Sequence, residues 1–234
     1  MRLFQLFPVL FLTLVSSCGR PGVRFFWDTH DPGYEDIRAA ENQFADFAEL
    51  AANAPESEAL PAIDALYDKL LQDTVGYYLY AEWSQAAFYN PLSPCRSAAL
   101  FSKAVDRIVE DSVLQPEEMG PYIQKREWIR LNQVGAKAIV PGLPGLDGRT
   151  LVLVLDLGCP FCHKALETLA QDPEWKDAHK VAVGMGIGPN PQVPGWEYVF
   201  PQNAEAVFDM EMTPFYFVIA PDGLVESGYE LALK

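Results

Sequence analysis

The sequence predicts an α/β domain with a mixed sheet and flanking helices, preceded by an all-α helical domain. Three observations support this fold class. Over the first half of the chain, apolar residues recur at three- and four-residue steps, as one buried helix face requires. In the second half, an apolar run leads into Cys159-Pro160-Phe161-Cys162 and a further helical pattern. Two later apolar runs are joined by Pro221-Asp222-Gly223, which predicts a β-hairpin.

The first 17 residues resemble a bacterial lipoprotein signal peptide. Arg2 precedes an apolar stretch, Leu3 to Val15, that is too short to span a bilayer comfortably. Small residues then stand directly before Cys18, as in a lipobox. This resemblance implies cleavage before Cys18 and lipid on its thiol, so that the mature chain is anchored to a membrane without spanning it. We expect residues 18–34 to form a tether.

We predict that residues 35–133 form the helical domain. Helical periodicity or composition marks the stretches 37–51, 63–71, 75–89, 101–108 and 116–131. The domain has no cluster of His, Cys and carboxylate residues at metal-ligand spacing, so we assign no chemistry to it. Its aromatic residues between Tyr77 and Tyr89 are interpreted as core.

We predict that residues 134–234 form the α/β domain. Asp147-Gly148 indicates a tight turn between short strands. The predicted order is then a strand at 150–157, a helix at 159–171, a strand at 180–187, a loop at 188–201, a short helix at 202–209, and two strands. A strand–helix–strand unit followed by a hairpin requires a mixed sheet.

The two cysteines of the Cys159–Cys162 motif are the candidate catalytic residues. A helix N-terminus stabilises a thiolate on the first cysteine, because its dipole and its unpaired N–H groups favour negative charge. The second cysteine is near enough to close a small disulfide. His163 lies four residues after Cys159, so it either modulates that thiolate from the same helix face or is a solvated helix residue. Cys95 is interpreted as a small buried hydrophobe.

Residues 134 to 229 resemble the thioredoxin-like family, and within it the membrane-tethered TlpA/ResA-like branch. Two motifs carry the resemblance: C-P-F-C at a helix start, and Met212-Thr213-Pro214 before an apolar strand. It implies that Pro214 is a cis-proline facing the dithiol, that Thr213-Pro214 binds substrate backbone, and that Cys159 attacks while Cys162 resolves. The helical region, with FWDTHDPGY and FYNPLSP, is similar to a helical domain of unknown function that precedes such domains in bacterial lipoproteins.

Three positions depart from the family pattern. Gly158 stands where thioredoxins usually carry tryptophan. Leu153 stands six residues before Cys159, where many members place a buried carboxylate or amide. Asp156 is nearer in sequence, but strand alternation does not require it to face the dithiol.

These observations predict an envelope-tethered thiol–disulfide oxidoreductase without a cofactor or metal. We expect it to face the periplasm and to act on cysteine-containing envelope proteins or a membrane redox partner. The net charge of −15 argues against a nucleic-acid partner. The motif C-x-x-C-H also fits c-type haem attachment, but the flanking strands argue against that reading. The main alternative is a non-catalytic binding or scaffold lipoprotein with a static disulfide. The residues between the cysteines are compatible with a reductant, an oxidant or an isomerase.

Overall fold

The computed structural model describes residues 22–143, 145 and 148–231, so the predicted signal peptide and Cys18 lie outside the described residues. The described helices are α1 (Phe26–Thr29), α2 (Ile37–Ala52), α3 (Glu56–Leu70), α4 (Thr74–Phe88), α5 (Ala98–Asp111), α6 (Pro116–Arg130) and α7 (Pro160–Gln171). The strands are β1 (Thr150–Asp156), β2 (His179–Met185), β3 (Glu197–Val199), β4 (Phe215–Ile219) and β5 (Val225–Leu231). This confirms the predicted fold class.

Three of the described helices, α2, α4 and α5, begin where a side chain can satisfy a free N–H group of the first turn. Asp36, Asp73 and Ser97 precede α2, α4 and α5, and each side chain accepts a hydrogen bond from a backbone N–H of the helix it caps. α3 begins at Glu56, about two turns before the predicted stretch 63–71, and Pro61 lies inside the helix. The buried faces of α2 to α5 then meet in one aromatic core.

Residues 23–29 differ from the predicted tether, because they form helical turns that are packed into the helical core. Trp27 is completely buried, with its ring centroid 5.0 Å from that of Phe47 and 6.1 Å from that of Tyr80. Aromatic side chains bury a large apolar area, so this segment is stabilised by packing. Of the predicted tether, the described part therefore belongs to the helical domain from Val23 onward.

The five strands form one mixed sheet in the order β3-β2-β1-β4-β5. The central strand β1 runs parallel to β2 and antiparallel to β4. Alternate residues of β1 face opposite sides of the sheet: Leu151, Leu153 and Leu155 pack with α7, whereas Val152 and Val154 belong to the other core. β1 is thus buried on both faces, as expected of a strand covered on both sides.

Three local features of the α/β region differ from the sequence-based expectation. The predicted loop contains β3, which pairs with β2 in parallel register. The predicted helix at 202–209 is replaced by two single 3-10 turns, Ala204–Ala206 and Met210–Met212. Within the described part of 134–148, no strand is formed: Lys137 makes an isolated bridge with Leu224, and Gly135 N–H and the Ala136 carbonyl form hydrogen bonds with the backbone of Val225, the first residue of β5. Segments this short have too few periodic positions to distinguish a strand from a turn.

The helical region and the sheet share one continuous hydrophobic core. It contains Phe88 and Phe101 from the helices and Phe215 and Phe217 from β4. Polar contacts connect the helices to the segment before β4: the Trp128 indole N–H donates to the carbonyl of Glu205 at 2.9 Å. The helical region therefore helps to cover the face of the sheet opposite α7. None of the helices in the described residues is both long and apolar enough to cross a membrane.

Candidate functional site

The two cysteines of the motif lie where β1 passes into α7. The Asp156 carboxylate accepts a hydrogen bond from Gly158 N–H at 2.9 Å, and the Asp156 carbonyl accepts one from Cys159 N–H at 3.1 Å. These bonds close a tight turn of the kind that aspartate side chains favour. Cys159 is the N-cap residue of α7, with φ −95° and ψ 115°, and Pro160 is the first helical residue. Its fixed φ and missing N–H suit that position.

The two thiols differ in their exposure to solvent. Cys159 is half-buried, whereas Cys162, one turn into α7, is completely buried, and both are free thiols. Burial raises the pKa of Cys162, and a hydrogen bond with Cys159 raises it further. Hydrogen bonds from the Asp156 backbone and the Thr213 side chain act in the opposite direction. The buried thiol is therefore the one that stays protonated and can donate to the sulfur of Cys159.

Thr213 lies beside Cys162, and Pro214 follows it directly before β4. The peptide bond between them is cis. The Thr213 hydroxyl donates to the Met210 carbonyl at 2.8 Å and also lies within hydrogen-bonding reach of the Cys162 sulfur. Because a hydroxyl has one proton, the two acceptors compete. When Cys162 is a neutral thiol, the Thr213 hydroxyl can donate to the Met210 carbonyl. When Cys162 is a thiolate, the hydroxyl can rotate and donate to the sulfur instead.

His163 is held by the turn before Cys159. Its Nε2 atom lies 3.1 Å from the carbonyl oxygen of Leu157, so the tautomer that carries a proton on Nε2 donates to this carbonyl. This contact connects the first turn of α7 to the loop that carries Cys159. The geometry thus gives His163 a means of positioning that loop.

The departures from the family pattern have structural counterparts. A Cβ atom at Gly158 would lie 3.2 Å from the Ile187 carbonyl oxygen, so a tryptophan there would press against the loop after β2. Leu153 belongs to the same apolar cluster as Cys162 and contributes no buried polar group there. The Asp156 carboxylate accepts a hydrogen bond from Gly158 N–H. The hydrogen bond between Asp156 and Cys162 is made by the Asp156 backbone, not by its carboxylate.

Sequence reasoning did not identify the residues that tie the site to the helical region. The Tyr89 hydroxyl donates to the Asp209 carboxylate at 2.6 Å, and both residues are buried. Lys125 pairs with Glu211 at 3.4 Å. These partners are far apart in sequence and no local pattern connects them. The turn at Asp156, in contrast, could have been predicted from the Asp-x-Gly spacing.

The remaining candidate residues form no second site. Cys95 is half-buried, and burial raises the pKa of its thiol. In the part of the chain that the structure describes, no group of three or more His, Cys, Asp or Glu residues could hold a metal ion. Cys18, the predicted lipidation site, lies outside that part.

The chain is similar to a solved structure over nearly its whole length. A crystal structure of a thioredoxin-like protein from Bacteroides caccae matches it with a TM-score of 0.70 and 16% sequence identity. The match covers 99% of this chain and 96% of that chain, so it includes the helical region as well as the sheet. No family model and no curated protein sequence matches. The chain therefore has a thioredoxin-like fold.

Proposed function

We propose that this chain, with its thioredoxin-like fold, is a thiol–disulfide oxidoreductase that cycles Cys159 and Cys162 between dithiol and disulfide. One observation carries the proposal: a half-buried cysteine caps α7 while a buried, protonated thiol lies against its sulfur. Cys159 stands at the N-terminus of α7, where a helix favours negative charge, and the Cys162 thiol can donate a hydrogen bond to its sulfur. A solvent-accessible cysteine beside a buried one suits disulfide exchange, because the first can attack a substrate disulfide and the second can resolve the mixed disulfide.

The reaction balances without a cofactor. The Cys159 thiolate attacks one sulfur of a substrate disulfide, forms a mixed disulfide and releases the other substrate sulfur as a thiolate. Cys162 then loses its proton to solvent and attacks the Cys159 sulfur. The Cys159–Cys162 disulfide forms, the mixed disulfide breaks, and the second substrate sulfur leaves as a thiolate that takes up a proton from solvent. Two electrons pass to the substrate, and the reverse sequence oxidises a substrate dithiol.

Thr213 supports the second step of this reaction. Cys162 must ionise to attack, and burial disfavours its thiolate. Leu153 offers no carboxylate there, so the Thr213 hydroxyl is the neighbouring side chain outside the motif that can stabilise the charge. The scaffold alternative rests on the same apolar environment, because a Cys162 that never ionises cannot resolve a mixed disulfide.

Trapping distinguishes the two functions. A Cys162→Ser variant of the full chain should accumulate mixed disulfides through Cys159, and a Cys95→Ser variant is the matched control that should accumulate none. The purified wild-type protein should also reduce or oxidise a model disulfide. Absence of both activities would establish the scaffold function.

The proposal places the enzyme at the cell envelope, anchored by lipid on Cys18 and facing the periplasm. The resemblance of residues 1–18 to a lipoprotein signal supports this, and such a compartment permits disulfides. Its substrates are then cysteine-containing envelope proteins or a membrane redox partner. In the trapping cells, the wild-type chain should fractionate with membranes, whereas Cys18→Ser should not.

A further inference from the structure

A groove of about 450 Å³ lies between the helical region and the segment before β4. The end of α4 and the turn after it, including Pro91 and Leu92, form one wall. Met212 and Thr213 are part of the other wall. A volume of this size is within the range of ligand sites, which occur preferentially where two structural regions meet.

The groove is continuous with the proposed redox site. Thr213 lines the groove, and its side chain also contacts the buried Cys162 sulfur. Pro214 follows directly, and the backbone then extends into β4. Thr213 therefore borders both the groove and the cysteine pair.

The helical wall presents an apolar side chain on a fixed turn. Leu92 is 74% exposed, so its side chain is accessible to a partner at this wall of the groove. The side-chain oxygen of Asn90 accepts a hydrogen bond from Leu92 N–H at 2.9 Å, and the Asn90 carbonyl accepts one from Ser93 N–H at 3.0 Å. Since these bonds hold the turn, Leu92 can bind a partner without first being ordered.

We propose that this groove binds the extended polypeptide segment flanking the substrate cysteine, and that Leu92 contacts an apolar side chain of that segment. The inference rests on the redox function proposed above and assigns it a substrate class: proteins or peptides with apolar residues near the reacting cysteine. The helical region thereby selects the substrate, while the cysteines perform the exchange. A disulfide of two small thiols would leave the groove empty.

The test compares two short peptides, each joined to glutathione through one cysteine. One peptide carries Leu residues on both sides of the cysteine and the other carries Ser residues there. The pre-reduced full chain should react about tenfold faster with the Leu peptide, as one well-buried apolar contact would allow. In Leu92→Ser this preference should fall to about twofold, because the apolar contact is lost.

A matched control excludes a general effect of removing an exposed apolar residue. Val75 is 57% exposed at the opposite end of α4, so Val75→Ser should retain the wild-type preference. The groove proposal is overturned if Leu92→Ser keeps the preference or slows both peptides by the same factor. It is also overturned if wild type shows no preference.

A second readout separates this proposal from the redox function. If the wild-type chain reduces neither peptide disulfide nor glutathione disulfide, the redox function fails. The Leu and Ser peptides, with serine replacing cysteine, can then be compared by fluorescence anisotropy. Tighter binding of the Leu peptide by wild type than by Leu92→Ser supports the groove as a peptide site, and equal binding overturns it.

Discussion

At the residue scale, the difference between the two thiols comes from a shift of one helical turn. Cys159 precedes the first helical residue and remains half-buried, whereas Cys162 points into the apolar cluster that contains Leu166. The difference in burial between the two cysteines therefore follows from their spacing in the motif. The chemical consequence is a buried Cys162 thiol whose pKa is raised, chiefly by burial.

This asymmetry predicts different pH profiles for alkylation. In a Cys18→Ser, Cys95→Ser background, single-cysteine variants retaining Cys159 or Cys162 are treated with iodoacetamide. Only the thiolate reacts, and the raised pKa keeps Cys162 protonated. The variant that retains Cys162 should therefore react at least about tenfold more slowly at pH 7 than the variant that retains Cys159. Its rate should still rise above about pH 9.5, where a cysteine with the usual pKa of about 8.5 is already about nine-tenths ionised and its rate levels off. A Cys162 rate that levels off at or below that pH would contradict the assignment.

At the element scale, α3 and α5 are connected by one buried guanidinium. Arg107 of α5 donates to the Asp64 carbonyl at 2.8 Å and to the Asp68 carboxylate at 2.7 Å, both on α3. It also pairs with Asp111 at 3.1 Å within its own helix. The Arg107 side chain and Asp111 are largely buried, whereas Asp68 is exposed. The ion pair between Arg107 and Asp111 should therefore contribute most of the electrostatic stabilisation within this cluster.

Replacing Arg107 should destabilise the protein more than replacing a neighbouring surface cation. Arg107→Met leaves the buried Asp111 carboxylate without its counter-charge and should lower the free energy of unfolding by about 2 kcal/mol, since exposure of the other carboxylates reduces the full penalty. Lys103→Met removes a more exposed ion pair with Asp64 and should cost less than about 1 kcal/mol. Urea unfolding measures both. Equal losses would show that the Arg107 cluster is screened like a surface pair.

At the scale of the whole molecule, the helical region and the sheet are not independent. Their apolar residues form one cluster, and the Tyr89–Asp209 hydrogen bond lies within it. The joining segment also leads into Thr213 and Pro214, so the helices support one side of the proposed redox site. Unfolding of either region would expose the shared core.

The described chain should consequently unfold in a single transition that Tyr89→Phe shifts without splitting. Loss of the hydroxyl removes a hydrogen bond to the Asp209 carboxylate and should cost about 2 kcal/mol. Tyr67→Phe is the control, because the Tyr67 hydroxyl donates to the neutral Ser84 hydroxyl and its loss should cost about 1 kcal/mol. Near- and far-ultraviolet circular dichroism should give coincident transitions. Separate transitions would show two independent cores.

Much of the architecture could be predicted because it depends on local patterns. Periodicity identified the helices from α2 to α6, and the run before Cys159 identified β1. Prediction was wrong where the signal was short or the stabilising partner was distant. β3 has only three residues and is stabilised by hydrogen bonds to β2, a strand that is distant in sequence. Trp27 packs against helices that follow it in the sequence.

The sequence by itself determined the fold class and the placement of the C-P-F-C motif at a helix start, because both depend on spacing along the chain. Only the tertiary structure decided that the helical region shares the core of the sheet and that the Asn90–Leu92 turn lies beside Thr213. The physical reason is that these contacts join residues by packing and hydrogen bonds in space, which local propensity does not encode.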